Sequence, residues 1–246
     1  MATRELAELS EQSPDEVERF ERTLAAIPAD ATSGLEIGFY DLRLTTLFAD
    51  KVDLVSVDLP REVNGGHAYK LAFANLRALP FGDNAFDIIF CTEVLEHLTD
   101  DDLDEALREL QRVSRKYILV TVPYKQLVWN DMFKCSNCKS VSNSMGHLRY
   151  LDEERLLKLF KNASRETIDL IGNVEGYAPS WLYKLANRFG NAWSDCIFGE
   201  CPNCGQTKRA VQPNLLGWFL QRVIWRLVRV APTRPAWMLM LVRSQS

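Results

Sequence analysis

The chain has 246 residues, of which 47% are hydrophobic and 25% charged, and its formal net charge is −4. This composition is typical of a globular protein with a sizeable core, and the total charge does not indicate a nucleic-acid partner. The N-terminal segment lacks an apolar run and no stretch of about twenty apolar residues occurs, so we expect neither a secretory signal nor a membrane span. The sequence therefore predicts a cytoplasmic protein.

Strand-like and helical segments alternate along the chain. Helical spacing is found over 14–27, after Gly38, and over 101–113 and 152–163. Strands are predicted at 33–38, 52–58, 69–75, 86–91, 116–124 and 166–173. This alternation is typical of βαβ units, so we predict an α/β fold with a doubly wound, mainly parallel sheet.

Two stretches interrupt this pattern, and a last apolar run follows them. Residues 125–150 and 174–212 lack regular periodicity and are predicted to be irregular insertions in a single domain that spans 1–246. Residues 236–243 are apolar and predict a terminal edge strand.

Each predicted insertion carries one Cys-x-x-Cys pair, and these pairs hold four of the six cysteines, namely Cys135, Cys138, Cys201 and Cys204. Disulfides are rare in a reducing cytosol, and four thiolates are the number that a closed tetrahedral zinc site takes. We therefore predict one structural zinc ion that ties the two insertions together. The alternatives are four unrelated thiols, or one redox pair with two unrelated thiols.

The chemistry of a doubly wound sheet lies at the carboxyl ends of its strands. Glu36 and Gly38 close the first predicted strand, Asp58 the second and Asn75 the third. An acid at the end of the second strand is well placed to accept hydrogen bonds from two ribose hydroxyls, although it could equally cap a helix or turn.

The run NLRALPFGDNAFDIIFCTEVLEHL at 75–98 resembles the core of the Rossmann-like methyltransferases that use S-adenosylmethionine, in particular a group acting on small molecules. The segments LEIG and VSVD precede it in the expected order, and GHLRYLDEERLLKLF at 146–160 is also similar. The resemblance covers residues 33–163. It implies a methyltransferase with an oxygen or nitrogen of a small molecule or saccharide as the acceptor.

The resemblance also implies roles for individual residues. The cofactor-binding set would be Glu36, Gly38, Tyr40, Asp58, Leu59, Asn75, Leu76, Cys91 and Thr92. Within it, Glu36 and Gly38 would lie below the methionine part, which Cys91 and Thr92 would line. Asp58 would bind the ribose, with Leu59, Asn75 and the backbone of Leu76 near the adenine.

The first loop departs from the family pattern. Tyr40 and Leu42 stand where the family's second and third glycines are expected, and Asn75 replaces an acid. Glycines there allow close backbone approach and unusual dihedral angles. The alternative function is therefore a catalytically silent, methyltransferase-like scaffold or partner protein.

Histidine is the simplest general base for a hydroxyl acceptor. His67 lies in a predicted turn and receives no role. His97 follows the fourth strand, where the alternative role is structural capping. His147 follows the first cysteine pair, where the alternatives are a supporting hydrogen bond and a zinc ligand.

Residues 214–230 combine three arginines with several aromatic side chains at helical spacing, and no acid follows Glu200. Such a helix can lie on an anionic membrane surface as a peripheral contact. The other interpretation is a helix packed on the sheet, with its arginines in water. The sequence gives no indication of the oligomeric state.

Overall fold

A computed structural model describes residues 13–39, 42–60, 70–161, 163–196, 201–206 and 211–244. These residues divide into two compact units. The first, here the sheet unit, contains the described residues up to 124, those of 151–172 and those from 235 onward. The second, here the cysteine unit, contains those of 125–150 and 173–234. The predicted insertions lie in the cysteine unit, together with the predicted helix at 214–230.

Nine strands occur in the described residues: β1 Ser33–Ile37, β2 Asp53–Asp58, β3 Lys70–Phe73, β4 Phe86–Thr92, β5 Ser114–Pro123, β6 Met132–Lys134, β7 Val141–Asn143, β8 Ser164–Ile171 and β9 Trp237–Arg243. Seven of them form the sheet, in the order β3-β2-β1-β4-β5-β9-β8. The first five strands of this order pair in parallel, whereas β9 is antiparallel to both of its neighbours. The predicted α/β fold with a mainly parallel sheet is confirmed.

The prediction of a terminal edge strand at 236–243 is wrong, because β9 lies inside the sheet between β5 and β8. Its burial on both faces explains this position. Met238 and Met240 pack into one apolar core, whereas Leu239 and Leu241 pack into the other. A strand that is apolar from Trp237 to Val242 needs cover on both faces, and the more polar β8 forms the edge instead.

Six α-helices occur in the described residues: α1 Pro14–Ala25, α2 Arg43–Ala49, α3 Asp100–Val113, α4 Glu153–Leu159, α5 Ser180–Gly190 and α6 Leu215–Val230. The side chains of Ser13, Thr99, Asp152 and Asn214 cap the helices that follow them. Helix α5 lies in a stretch predicted to be irregular. It starts after Pro179, which offers no capping side chain, so the usual signal for a helix start is missing.

Both faces of the sheet are covered. Along β4, Ile89 packs into the core with α3, whereas Ile88 and Phe90 pack into the core with α2. This alternation follows from the two-residue period of a strand. Apolar layers on both faces of the sheet therefore hold the carboxyl ends of the parallel strands in place.

The cysteine unit has smaller cores. Strands β6 and β7 form an antiparallel hairpin, and Phe133 of β6 is fully buried against Cys135 and Cys201. A second core lies between α5 and α6 and contains Leu182, Ala186 and Leu220. None of the helices in the described ranges is long and apolar enough to cross a membrane.

Candidate cofactor site and cysteine cluster

The loop after β1 takes a backbone conformation suited to glycine at two positions. Gly38 has φ 79°, and its amide donates to the Val57 carbonyl at 2.8 Å. Leu42, at the expected place of the third family glycine, has φ 61° and precedes α2. A side chain in this left-handed region costs about 1–2 kcal/mol. The loop thus keeps a glycine-like backbone at Leu42, while Tyr40 lies outside the described residues.

Glu36 is buried beneath this loop. One of its carboxylate oxygens accepts hydrogen bonds from the hydroxyls of Thr45 and Ser56, each at 2.7 Å. Thr45 lies on α2 and Ser56 on β2, so the carboxylate links three elements at the carboxyl end of the sheet. A buried carboxylate needs such donors, because burying a charge without partners is costly.

A cavity of about 160 Å³ opens above this edge, within the sheet unit. It is lined by residues of α1, the loop after β1, α2 and the end of β4: Arg19, Glu36, Gly38, Phe39, Leu42, Leu44, Thr45, Thr92 and Glu93. Thr92 is one of these lining residues. The side chain of Cys91 is fully buried in the core beside α3, and burial raises the pKa of its thiol.

Glu93 and Arg19 form a charged pair in the wall of this cavity, and neither residue was predicted to belong to a site. The Glu93 carboxylate accepts from the Thr121 hydroxyl at 3.0 Å and from the Trp237 indole at 3.1 Å. The Arg19 guanidinium lies 3.7 Å from it and 4.9 Å from the Trp237 ring centre. Burial raises the pKa of the Glu93 carboxyl, although Arg19, Thr121 and Trp237 all favour its charged form.

Two further features single out this pair. Glu93 has φ 56°, a left-handed conformation that side chains adopt at a cost and that clusters at functional sites. Nε of Arg19 is buried and has no hydrogen-bond partner among the described residues. The cavity wall thus offers both a carboxylate and a guanidinium donor. No sequence signal marks Arg19, because α1 meets β4 only through tertiary packing.

The predicted ribose and adenine residues lie at the ends of β2 and β3. Asp58 closes β2, and its carboxylate accepts from the Leu59 amide at 2.7 Å. Leu59 is 60% exposed, as a side chain that packs on a ligand ring would be. Asn75 is exposed, and its side-chain oxygen accepts from the Arg77 amide at 3.0 Å, while Leu76 is partly buried.

The two candidate histidines lie in different units and are described separately. In the sheet unit, His97 is exposed in a single turn of 3₁₀ helix, and its amide donates to the Val94 carbonyl. In the cysteine unit, His147 is buried, and its Nδ1 hydrogen-bonds the side-chain oxygen of Gln126. His67 lies outside the described residues.

The four paired cysteines come together in the cysteine unit. Their sulfurs all lie within 4.8 Å of one another, with Cys135 to Cys204 at 3.9 Å and Cys138 to Cys201 at 3.7 Å. Zinc–sulfur bonds of about 2.3 Å in a tetrahedron put the sulfurs about 3.8 Å apart. The spacing and the donor set therefore fit zinc.

The two cysteine turns have matching construction. Lys139 and Gly205, each just after the second cysteine, have φ values of 61° and 63°. The side-chain amide of Asn137 donates to the Cys204 sulfur at 3.7 Å, and that of Asn203 donates to the Cys138 sulfur at 3.5 Å. Each turn thus supports a sulfur of the other, as supporting hydrogen bonds do around metal ligands.

The surroundings also affect the ionisation of these thiols. A hydrogen bond from Ser140, with further help from Asn203, lowers the pKa of Cys138 to about 5. The same hydroxyl contributes most to lowering the pKa of Cys201, whereas burial raises that of Cys135. Thiolates are the form that binds metal.

Sequence comparison connects the sheet unit to known proteins. Residues 35–117, about a third of the chain, match the family model described as Methyltransferase domain. A protein of Methanocaldococcus jannaschii described as uncharacterized is 38% identical over 63 residues. That match covers 24% of this chain and 27% of the relative.

Solved structures share the fold over most of the chain. An S-adenosylmethionine-dependent methyltransferase of Archaeoglobus fulgidus matches with a TM-score of 0.55 at 12% identity, covering 95% of each chain. The YcgJ protein of Bacillus subtilis matches with 0.53 at 16% identity, covering 92% of this chain and 98% of its own. The [4+2]-cyclase SpnF matches with 0.51 at 15% identity, covering 93% and 80%. This similarity shows the fold, which also hosts other reactions.

Proposed function

We propose that this chain, whose residues 35–117 match the methyltransferase family model and whose fold is similar to that of S-adenosylmethionine-dependent methyltransferases, is an active methyltransferase. Its acceptor would be an oxygen or nitrogen of a small molecule or saccharide. The observation that carries the proposal is the cavity at the carboxyl end of β1 and β4, below which Gly38 and Leu42 hold a glycine-like backbone.

The residues at this edge suit the cofactor. Asp58 offers a carboxylate for the ribose hydroxyls, and the exposed side chain of Leu59 offers an apolar face for the adenine, near Asn75 and Leu76. Glu36 and Gly38 would lie beneath the methionine part, beside Thr92. When bound, S-adenosylmethionine supplies an electrophilic methyl group on a sulfonium sulfur.

The charged pair in the cavity wall suits the methionine end of the cofactor, which carries a carboxylate and an ammonium group. The unsatisfied Nε of Arg19 can donate to the carboxylate, and the Glu93 carboxylate can accept from the ammonium group. Charge-assisted hydrogen bonds of this kind are stronger than neutral ones. We therefore assign Arg19 and Glu93 a cofactor-positioning role.

We propose that His97 or His147 acts as the general base. In the cysteine unit, the side-chain nitrogen of Gln126 donates to the Met145 sulfur at 3.6 Å, which leaves its oxygen to face the His147 ring. A carbonyl acceptor there fixes the proton on Nδ1 and makes Nε2 the basic atom of the neutral ring. We take His147 as the first candidate, because the Gln126 contact orients its ring.

The four cysteines would hold a structural zinc ion. All four positions of a tetrahedral site are then protein sulfurs, so no position is left for substrate. The ion would stabilise the cysteine unit and take no part in methyl transfer.

One observation favours the second candidate, a catalytically silent scaffold. The side chain of Leu42 lines the cavity at the expected place of the third family glycine, and Phe39 lines it beside Gly38. The cavity of about 160 Å³ is also below the 300–1,000 Å³ typical of sites for drug-sized ligands. Binding of the whole cofactor therefore requires side chains of the loop to move aside.

Calorimetric titration separates the two candidates. An enzyme should bind S-adenosylmethionine and S-adenosylhomocysteine with similar affinity in the micromolar range, since the two share nearly all contacts. Arg19→Gln should weaken both, whereas Arg22→Gln, an exposed change on the same helix, should not. If the folded, metal-loaded protein binds neither compound at millimolar concentration, the scaffold function stands.

A further inference from the structure

Large apolar side chains are exposed on the two long helices of the cysteine unit. Of sixteen exposed large apolar residues in the described part of the chain, ten lie on α5 and α6. Leu215 is 90% exposed and Val230 79% exposed. Single exposed apolar residues are normal on a protein surface, but a concentration of this kind marks an interaction surface.

Loose packing does not explain this exposure, because each helix also has a closely packed face. Gly190 and Gly217 meet where α5 and α6 cross, and a Cβ on Gly217 would lie 2.0 Å from the Gly190 carbonyl oxygen. Leu182 and Leu220 are buried in the core between the helices. The exposed residues are therefore those that the helix pair leaves outside its own core.

Helix α5 presents a regular exposed stripe. Trp181, Leu185 and Phe189 follow each other at intervals of four residues, and Lys184 and Arg188 lie between them. All five side chains are exposed. Residues four apart share one face of a helix, so this face is both apolar and basic.

Helix α6 repeats the combination. Its exposed side carries Arg222, Arg226 and Arg229, and at 100° per residue Trp218 and Trp225 flank this row on one side. The Arg229 guanidinium lies 3.8 Å from the Trp225 ring centre. Phe219 and Val230 flank the row on the other side and are also exposed.

The exposed faces adjoin at the helix junction. The Asn214 side chain donates to the Phe189 carbonyl at 2.8 Å, and its amide donates to the Gly190 carbonyl at 2.9 Å. The exposed face of α5 ends at Phe189, and the exposed face of α6 begins at Leu215. The exposed side chains of Ser180–Gly190 and Leu215–Val230 together are called the aromatic–basic surface below.

The charge on this surface has one sign. Helices α5 and α6 contain five Lys and Arg residues and no Asp or Glu. The potential around them is therefore positive, although the whole chain carries a net charge of −4. A partner that covers this surface must combine negative charge with an apolar layer.

We propose that the aromatic–basic surface docks on an anionic lipid bilayer. The headgroup phosphates would pair with the arginines and lysine, and the acyl boundary would receive the Leu, Phe and Val side chains, with tryptophan rings at the interface between them. A nucleic acid would satisfy the cations but leave Leu215, Leu216 and Val230 in water. A protein partner would need acids spaced within an apolar face, whereas a bilayer supplies both layers everywhere.

Vesicle flotation of the full chain tests the proposal. The wild type should float with vesicles made of equal parts phosphatidylcholine and phosphatidylglycerol, and should stay in the aqueous fraction with phosphatidylcholine alone. The tryptophan fluorescence should shift to shorter wavelength with the anionic vesicles. Changing Arg222, Arg226 and Arg229 together to Gln should weaken binding roughly 100-fold, since each basic side chain near the surface contributes a factor of about five.

Matched variants separate surface chemistry from folding. Trp218→Ser with Phe219→Ser should weaken vesicle binding at least about tenfold while the helix content and metal content stay unchanged, because both side chains are exposed. Val141→Ser, an exposed apolar change on β7, and Lys158→Gln, an exposed charge change on α4, should leave binding unchanged.

Other occupants are measured in the same series. Equilibrium sedimentation reports self-association, and a mobility shift with total RNA reports nucleic-acid binding. The proposal is overturned if the wild type does not float with anionic vesicles. It is also overturned if the Trp218 and Phe219 changes abolish a dimer or the arginine changes abolish an RNA complex, while vesicle binding is unaltered.

Discussion

The sheet unit buries apolar side chains on both faces of its seven-stranded sheet, whereas the described part of the cysteine unit has smaller cores around Phe133 and between α5 and α6. The sheet unit therefore has the extent of buried area that stabilises a domain without a covalent or metal link. The cysteine unit instead brings together four sulfurs and leaves many large apolar side chains exposed. The two units should accordingly respond differently to the same kinds of perturbation.

Loss of a sulfur ligand should give the largest difference between the units. A structural zinc ion supplies about 10 kcal/mol or more of folding free energy, comparable with the whole stability of a domain. We expect Cys135→Ser or Cys201→Ser to release zinc and to abolish amide protection in β6, β7 and the cysteine turns. Protection in β4 and β5 should persist. Metal analysis and hydrogen exchange measure both effects.

Cys196→Ser is the matched control, because Cys196 lies in the same unit and outside the four-sulfur cluster. It should keep about one zinc per chain, as four thiolates imply. Absence of zinc from the unoxidised wild type would rule out the metal-linked cysteine unit.

The second effect belongs to the sheet unit and depends on pH. Asp87 is buried at the start of β4, and its carboxylate accepts from the amide and hydroxyl of Thr32 at 3.0 and 2.8 Å. Burial opposes ionisation, but these hydrogen bonds and the nearby Lys116 charge lower the pKa of Asp87 well below its usual range. A hydrogen bond to a charged group is worth about 1.5–3 kcal/mol, so loss of the two bonds from Thr32 in Asp87→Ala should destabilise the sheet unit by about 3–6 kcal/mol.

The sign of the pH dependence follows from the lowered pKa. The stabilisation is fully present above the unfolded-state pKa of about 4 and is lost as pH falls from there towards the folded-state value. Urea unfolding between pH 7 and pH 2 should show this loss in the wild type and less of it in Asp87→Ala. Asp83→Ala, which removes a 75% exposed carboxylate, should cost no more than about 1 kcal/mol at any pH.

The third effect concerns cofactor affinity. Asp58→Ala should weaken binding of S-adenosylmethionine by about 1.5–3 kcal/mol, the scale of hydrogen bonds to a charged group. Asp53→Ala removes an acid from the other end of β2, where it pairs with Lys70, and should leave affinity unchanged. Equal losses in the two variants, or no loss in either, would contradict the ribose role of Asp58.

The sequence predicts best what depends on local pattern. The strands β1, β2, β4 and β5 follow from apolar runs, and the approach of the four cysteines follows from their paired spacing. The internal position of β9 does not follow, because strand order is decided by packing between distant segments. The ion pair of Arg19 and Glu93 could not be predicted for the same reason, since 74 positions separate the two residues in the chain and only the fold brings them together. The left-handed conformation of Leu42 could not be predicted either, because leucine rarely adopts it and glycine is the residue expected there.

Substitution of Leu42 should have the smallest effect on the unfolding free energy, and substitution of the nearby Leu44 is its closest comparison. Leu42→Gly relieves about 1–2 kcal/mol of left-handed strain, and this gain offsets the lost contacts of a partly buried side chain and the greater freedom of the unfolded chain. The net change in unfolding free energy should therefore lie within about 1 kcal/mol of zero. Leu44→Gly, inside α2, has no strain to relieve and should cost about 2–3 kcal/mol through lost burial and poor helix propensity.

Both leucines line the cavity, so affinity for S-adenosylhomocysteine provides a second readout. Leu42→Gly should raise affinity, because it removes a side chain at the expected place of a family glycine while keeping the backbone that the loop already adopts. Thermal unfolding and calorimetry on both variants check the two outcomes together. Equal destabilisation by Leu42→Gly and Leu44→Gly would show that the left-handed conformation carries no cost in this loop, and unchanged affinity would show that the Leu42 side chain does not restrict the cofactor.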